Sequence, residues 1–462
     1  MKRLVLVLVL VLLLAACQDS PETTETESSE AAESFSFNIT EEPPHDKFRL
    51  ALSMLNHLQE GEYEKAYAMF DEVLKGSISL VDLSGLWTQI QANQGHIKEI
   101  FSYDEKEQEA FTSLYFGTSF EQDNATLEVS VNDEDEIVGF YLYPYGDEEE
   151  TSEPVYDGEE LSFGEEFPLK GTLKTPEEGD KFPVVVFVHG SGPLDRNSSI
   201  GPNAMFEDMA EALAEQGIAS FRYDKRTYTY NKDDRLREED FLVHDETVED
   251  AALALEMLKT HPAVDPEQIY VAGHSLGAMM IPRISKETSS IKGVVFMAAP
   301  SKNVVETMHD QVMYLLENYE TGHEGHDHEH DIVHLEDLKM RIEDALDPDT
   351  PLENRSREIL GVSESYWNDI LAYDQVEEAK EIKLPMLFLQ GERDYQVTMK
   401  DFEKWQEELS AKEHVTFKSY PSLNHLLIAG EGAPSPEEYM VEGTVDPQVS
   451  EDIGSWIRGN ND

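Results

Sequence analysis

Six short apolar runs recur along the C-terminal two-thirds of the chain: PVVVFVHG (183–190), IASFRYDK (218–225), IYVAGHS (269–275), GVVFMAAP (293–300), PMLFLQGERD (385–394) and VTFKSYP (415–421). Helical stretches such as MFEDMAEALAEQ and TVEDAALALEMLKTH lie between most of them. A strand that is apolar at every position is buried on both faces, and strands joined through helices run parallel. The pattern therefore predicts an α/β fold with a mostly parallel central sheet covered on both sides. LSFGEEFPLKGTLKTP, ahead of the first run, reads as a hairpin adding antiparallel strands at one edge. Between Ser301 and Lys380 the alternation stops, and about eighty residues read as helix and loop, an insertion large enough to form a helical cap (301–380).

At 462 residues the chain is long for a single domain. FRLALSMLNHLQEGEYEKAYAMF has helical periodicity, with Leu52, Leu55, Leu58, Tyr63, Ala66 and Phe70 among its apolar positions. A second helical stretch covers Leu80 to Ala92. From Ile97 to Tyr143 the pattern turns strand-like, with a turn at Asn132 to Asp135. Helices followed by an antiparallel sheet predict a small α+β domain over 45–146. The acidic stretch 147–157 is a linker, and 158–462 is the main domain.

The N-terminus reads as a targeting segment. Lys2 and Arg3 precede an apolar run, Leu4 to Leu14, too short to span a bilayer as a stable helix. Residues 17–44 are rich in Glu, Ser, Thr and Pro and cannot bury enough apolar surface to fold, so they read as a tether. Cys17 is the only cysteine, which rules out an internal disulfide. With 35 Lys+Arg against 96 Asp+Glu the net charge is -61, a surface that repels nucleic acid and anionic headgroups.

Gly273-His274-Ser275-Leu276-Gly277 fits G-x-S-x-G at the junction of a strand and a helix, but a serine nucleophile also needs partners. In open α/β sheets ligands bind beyond the carboxyl ends of the strands. His425, in PSLNHLLI, follows the last predicted strand and is the candidate base. His414 precedes that strand and belongs to the opposite end of the sheet. Asp394, in LQGERDYQV, closes the preceding strand and is the candidate acid, with Asp374 and Asp401 as rivals. HGSGP (189–193) follows an apolar strand, and its glycines let backbone N–H groups point into a site. The Ser191 N–H is the candidate oxyanion donor, Gly192 the alternative, and the Leu276 N–H the second donor. His274 reads as the variable residue of the turn, and RYDKR (222–226) as a structural ion-pair cluster.

The order Ser275, Asp394, His425, together with RYDKR, GHSLG, GERDYQV and LNHL, resembles a lipoprotein-type subgroup of bacterial α/β-hydrolases, of the esterase or dienelactone-hydrolase-like group. The resemblance runs from about Gly158 to the end. It implies carboxylic ester hydrolysis by a Ser275–His425–Asp394 triad on small-molecule esters, with no cofactor. Dienelactone hydrolases proper use cysteine, and this chain has serine at that position. Leu14-Ala15-Ala16-Cys17 resembles a lipobox, which implies removal of 1–16 as a lipoprotein signal peptide. Acylated Cys17 would then anchor the protein on the extracytoplasmic side of the cell membrane. Residues 45–146 resemble the small modules of unknown function, with a nuclear-transport-factor-like cone, that precede hydrolase domains in such lipoproteins.

GHEGHDHEHDIVH (322–334) carries His323, His326, His328, His330 and His334 among acidic residues, a composition able to take a divalent metal. The spacing matches no structural zinc site and lacks H-E-x-x-H, so it reads as a solvated cap loop and no metal ligand is assigned. The competing functions are a peptidase or acyltransferase on the same fold, and a non-enzymatic lipoprotein that captures metal through this loop.

Overall fold

The computed structural model describes residues 36–37, 46–71, parts of 74–94, 95–107, 111–144, 156–230, 234–237, 240–288, 290–321, 329–347 and 363–460. Two compact units emerge: among the described residues the first takes 36–144 together with 329–337, and the second takes 156–321 and 338–460. In the first, helices α1 (Asp46–Gln59) and α2 (Tyr63–Ala68) precede a sheet. Its strands, in spatial order, are β1 (Ser36–Phe37), β2 (Ile97–Glu107), β3 (Phe111–Phe120), β4 (Asn124–Asn132) and β5 (Ile137–Pro144). β2 to β5 pair antiparallel and β1 joins β2 in parallel. Phe48, Ala51, Leu55 and Leu58 recur at helical spacing and are buried with Leu114, Phe116, Leu127 and Val129. Leu52 and Tyr63, grouped with this face on sequence grounds, are only partly buried beside it. In the stretch 80–92 the described residues are helical, and Leu83, Trp87 and Ile90 are buried. The β4–β5 turn is held by the Asn132 carboxamide oxygen, which accepts the N–H groups of Glu134 (3.1 Å) and Glu136 (2.8 Å).

The second unit is built on an eight-stranded sheet. β6 (Glu159–Phe163) and β7 (Leu169–Lys174) form the expected edge hairpin. β8 (Phe182–Val188), β11 (Ala219–Tyr223), β12 (Val264–His274), β13 (Gly293–Met297), β14 (Met386–Gly391) and β15 (Val415–Tyr420) occupy the six apolar runs. Between β8 and β11 lies a minimal ribbon, β9 (Ser199–Ile200) and β10 (Asn203–Ala204). The order across the large sheet is β15-β14-β13-β12-β8-β11-β7-β6. All neighbours from β15 to β11 are parallel, while β7 pairs antiparallel with β11 and β6.

Alternate residues of one strand enter opposite cores, as the two-residue period of a strand requires. Val184, Val186, Val271, Val294, Phe296 and Phe388 belong to one apolar layer, while Val185, Phe187, Tyr270, Val295, Leu387 and Leu389 belong to the other. Helices α5 (Asp250–Lys259), α6 (Leu276–Glu287) and α11 (Met399–Leu409) cover the first face; α3 (Met205–Glu215) and α12 (Pro447–Gly459) cover the second. A short α4 (Arg226–Thr229) follows β11.

The described residues between β13 and β14 are helical: α7 (Val304–Thr321), α8 (Glu329–Leu346), α9 (Glu364–Leu371) and α10 (Gln375–Ala379). Helices α9 and α10 are tied to the sheet by polar bonds. Arg283 on α6 makes a bidentate pair with Asp369 (2.7 and 2.9 Å), and the Gln375 carboxamide donates to the carbonyls of Pro300 (3.1 Å) and Lys302 (2.7 Å).

Candidate active site

Ser275 sits between β12 and α6 with φ 53° and ψ −116°. A non-glycine residue in this region carries about 1–3 kcal/mol of strain, held only where the surroundings enforce it. They do so here: the Ser275 N–H donates to the Met297 carbonyl of β13 at 3.0 Å, and the Ser275 carbonyl already accepts the Met279 N–H of α6 at 3.0 Å. Gly277 leaves room for the first turn of α6 to press on β8, since a Cβ there would lie 2.5 Å from the His189 carbonyl oxygen. As the first residue of α6, Leu276 has an N–H with no intrahelical acceptor.

Asp394 lies just beyond β14, fully buried, and four donors reach its carboxylate. Oδ1 accepts the backbone N–H groups of Gln396 (2.8 Å) and Val397 (2.9 Å); Oδ2 accepts Gln390 Nε2 (3.2 Å) and faces His425 Nδ1 at 2.7 Å. An ionised carboxylate, which only accepts, suits such a setting. The His425 loop, after β15, is wound around Asn424, whose carboxamide oxygen accepts the N–H groups of Leu426 (3.0 Å) and Ile428 (3.2 Å). Gly391 brings this loop and the Asp394 loop together: a Cβ there would strike the carbonyl oxygens of Leu423 and, at 2.7 Å, Asn424.

The two rival acids are engaged elsewhere. Asp374 caps α10 by accepting the Glu377 N–H at 2.9 Å. Asp401 accepts the N–H (2.9 Å) and hydroxyl (2.8 Å) of Ser301. His414, at the start of β15, faces the Ile382 carbonyl at 3.2 Å.

The turn after β8 runs beside the serine. A Cβ on Gly190 would lie 3.3 Å from the Ser275 Cβ. The Ser191 side chain is exposed at this turn. His189 is buried, with Nε2 facing the Asp195 carbonyl at 3.0 Å, and burial together with the Lys225 charge pushes its pKa down to about 3.

His274 is the residue that sequence reasoning undervalued. Far from being a free position of the turn, it is buried and points Nε2 at the His425 backbone carbonyl, 2.9 Å away. Burial and the neighbouring His425 push its pKa down to about 3. A neutral ring in this position donates through Nε2 and braces the loop that carries His425. RYDKR is an ion-pair cluster at Arg222, Asp224 and Arg226, as read from the sequence: Arg196 binds Asp224 (2.6 Å) and Arg226 binds Asp250 (2.5 Å). Lys225 pairs with Glu246 (3.5 Å) and does more than the cluster reading foresaw, because it also donates to two backbone carbonyls of the HGSGP turn.

Cys17 lies outside the described residues, as do His323, His326 and His328. Among the described residues, no group of three or more His, Cys, Asp or Glu is placed to hold a metal ion. Nor is any helix among them long and apolar enough to cross a membrane.

A family model described as a protein of unknown function (DUF3887) matches residues 51–140, and one described as serine aminopeptidase, S33, matches residues 181–320. The chain is 34% identical over 411 residues to the protein named Esterase EstD of Thermotoga maritima, covering 88% of this chain and 94% of that protein. Among solved structures, the esterase domain of a Rhodothermus marinus protein aligns over 65% of this chain and 98% of its own, at 16% identity and a TM-score of 0.38. Est1E from Butyrivibrio proteoclasticus aligns over 65% and 98%, at 14% identity and a TM-score of 0.39.

Proposed function

The chain belongs to the α/β-hydrolase family of esterase EstD and is a carboxylesterase-like hydrolase, and from that premise we propose that it cleaves small carboxylic esters through an acyl-enzyme on Ser275. The observation that carries the assignment of roles is the 2.7 Å contact between Asp394 and His425, whose loop meets His274, the residue next to a serine held at positive φ. With Nδ1–H given to Asp394, His425 keeps Nε2 as the nitrogen that takes the Ser275 proton during attack and returns it to the leaving alcohol. Asp394 fixes that tautomer and stabilises the imidazolium. The tetrahedral oxyanion is received by the N–H groups of Leu276 and Ser191; one such donor is worth about 3 kcal/mol of transition-state stabilisation. Water, activated by the same imidazole, then releases the acyl group.

Ser275→Ala tests the assignment. It is expected to abolish turnover of a graded series of chromogenic esters and labelling by a fluorophosphonate, with the fold retained. Equal labelling of the alanine variant would overturn it. Amide and acyl-transfer assays on the same preparations decide between ester hydrolysis and the peptidase or acyltransferase alternatives.

The enzyme is further proposed to act on the extracytoplasmic side of the cell membrane, tethered through lipid on Cys17. The support is the Leu14-Ala15-Ala16-Cys17 box after a basic, apolar leader. One acyl chain binds only marginally, so firm anchoring implies two or more. Cys17→Ser is expected to leave an unprocessed precursor; membrane fractionation and processing unchanged from wild type would refute the anchor.

A further inference from the structure

The buried Lys225 ammonium is surrounded by the HGSGP turn and by two side chains that no part of the proposed reaction uses. It donates to the Gly190 carbonyl oxygen at 3.0 Å and to that of Gly192 at 3.1 Å. It also faces Glu246 Oε2 at 3.5 Å, and the other oxygen of Glu246 accepts the Tyr366 hydroxyl at 2.5 Å. Tyr366 belongs to α9 of the helical insertion, so the chain of contacts runs from the insertion to the turn beside Ser275. All three side chains are less than 8% exposed.

The geometry of the peptide bond gives this arrangement a consequence. In a trans peptide the C=O and the following N–H point to opposite sides, and the described residues include no cis peptide. Holding the Gly190 carbonyl on Lys225 therefore turns the Ser191 N–H away from the lysine. The Gly192 carbonyl precedes Pro193, which has no N–H, so its capture withdraws no donor from the site. If the Gly190–Ser191 peptide flipped, it would present a carbonyl oxygen where an anion forms. Opposing partial charge would then replace a hydrogen bond.

We propose that Lys225 is a positioning residue for catalysis: it locks the Gly190–Ser191 peptide so that the Ser191 N–H meets the developing oxyanion, and Glu246 and Tyr366 hold it in place. The proposal rests on Ser275 as nucleophile and Ser191 as oxyanion donor. A lysine that merely neutralised Glu246 would affect stability and leave the chemical step alone.

The test is Lys225→Met, with Lys225→Met/Glu246→Gln as a second variant in which no buried carboxylate is left without a partner. Both are assayed with a short chromogenic ester and with a trifluoromethyl ketone that forms a tetrahedral adduct. The expectation is a fall in kcat of about 10²-fold, as for loss of one oxyanion donor. KM should stay within about threefold, and ketone affinity should fall in step with kcat/KM. The fluorophosphonate end-point should still reach one label per chain, at Ser275. If the folded double variant keeps the wild-type kcat, or if only KM changes, the proposal is wrong. A Ser275→Ala enzyme that still turns over ester would instead remove the nucleophile assignment, whatever Lys225 does.

Discussion

Acidification should destabilise the hydrolase unit through two histidines that it keeps neutral. His189 and His274 are buried, and in both burial is the main cause of a pKa pushed down to about 3 from an ordinary value of 6.5. Above about pH 6.5 both rings are neutral in the folded and the unfolded chain, so the shift contributes nothing. Between about pH 6.5 and 3 the unfolded chain binds a proton that the folded one refuses, so stability falls as the pH falls. From about pH 7.5 to pH 5 the unfolded state gains a factor of about 30 per histidine, or about 2 kcal/mol each. His274→Gln isolates one of the two: the glutamine amide can still donate to the His425 carbonyl, and it does not titrate. Urea unfolding at the two pH values, followed by tryptophan fluorescence, gives the comparison; Trp367, Trp405 and Trp456 report on the hydrolase unit. The variant should lose about 2 kcal/mol less than wild type on acidification. Equal losses would refute the reasoning, because the ring would then accept its proton where it stands.

Asp394→Asn should lower kcat by about 10⁴-fold by stranding His425 in the wrong tautomer, whereas Asp401→Asn, whose carboxylate is taken up by Ser301 and Thr398, should leave kcat within about threefold. The reverse ranking in steady-state assays would exchange the two acids. Gly391→Ala should push the His425 loop off Asp394; a displacement of about 1 Å costs about 10²-fold in rate. A crystal structure of that variant should show the 2.7 Å contact lengthened, and an unchanged contact with unchanged rate would count against the packing argument.

The sheet was legible because its strands are buried on both faces, which leaves continuous apolar runs that few other structures produce. Chain order then supplied the candidate site: a candidate base after the last strand and a candidate acid after the one before follow from sheet topology. Asp374 and Asp401 were harder to dismiss. Asp374 is engaged by a local cap, but Asp401 is engaged by Ser301, 100 residues earlier in the chain, a contact that the sequence around Asp401 does not reveal. His274 and Lys225 were not legible. Each acts on a backbone carbonyl distant in sequence, His274 across 151 residues and Lys225 across 35. A carbonyl leaves no trace in residue identity. A histidine between a glycine and a serine, and a lysine among arginines, therefore read as filler and as charge balance.

The buried histidines also narrow the choice of base by a route independent of motif order. Three imidazoles cluster near Ser275: His274 stands 4.6 Å ring to ring from His425, and His189 opens the turn that presses Gly190 against the serine. A general base works best with a pKa near the operating pH. His189 and His274, at about 3, hold a proton too weakly to take one from a serine hydroxyl near neutrality. Each also commits Nε2 to a backbone carbonyl. His425 alone of the three turns Nδ1 to a carboxylate, which fixes its tautomer and would offset the positive charge it gains on accepting the proton. Electrostatics, like chain order, thus supports His425 as the proposed base.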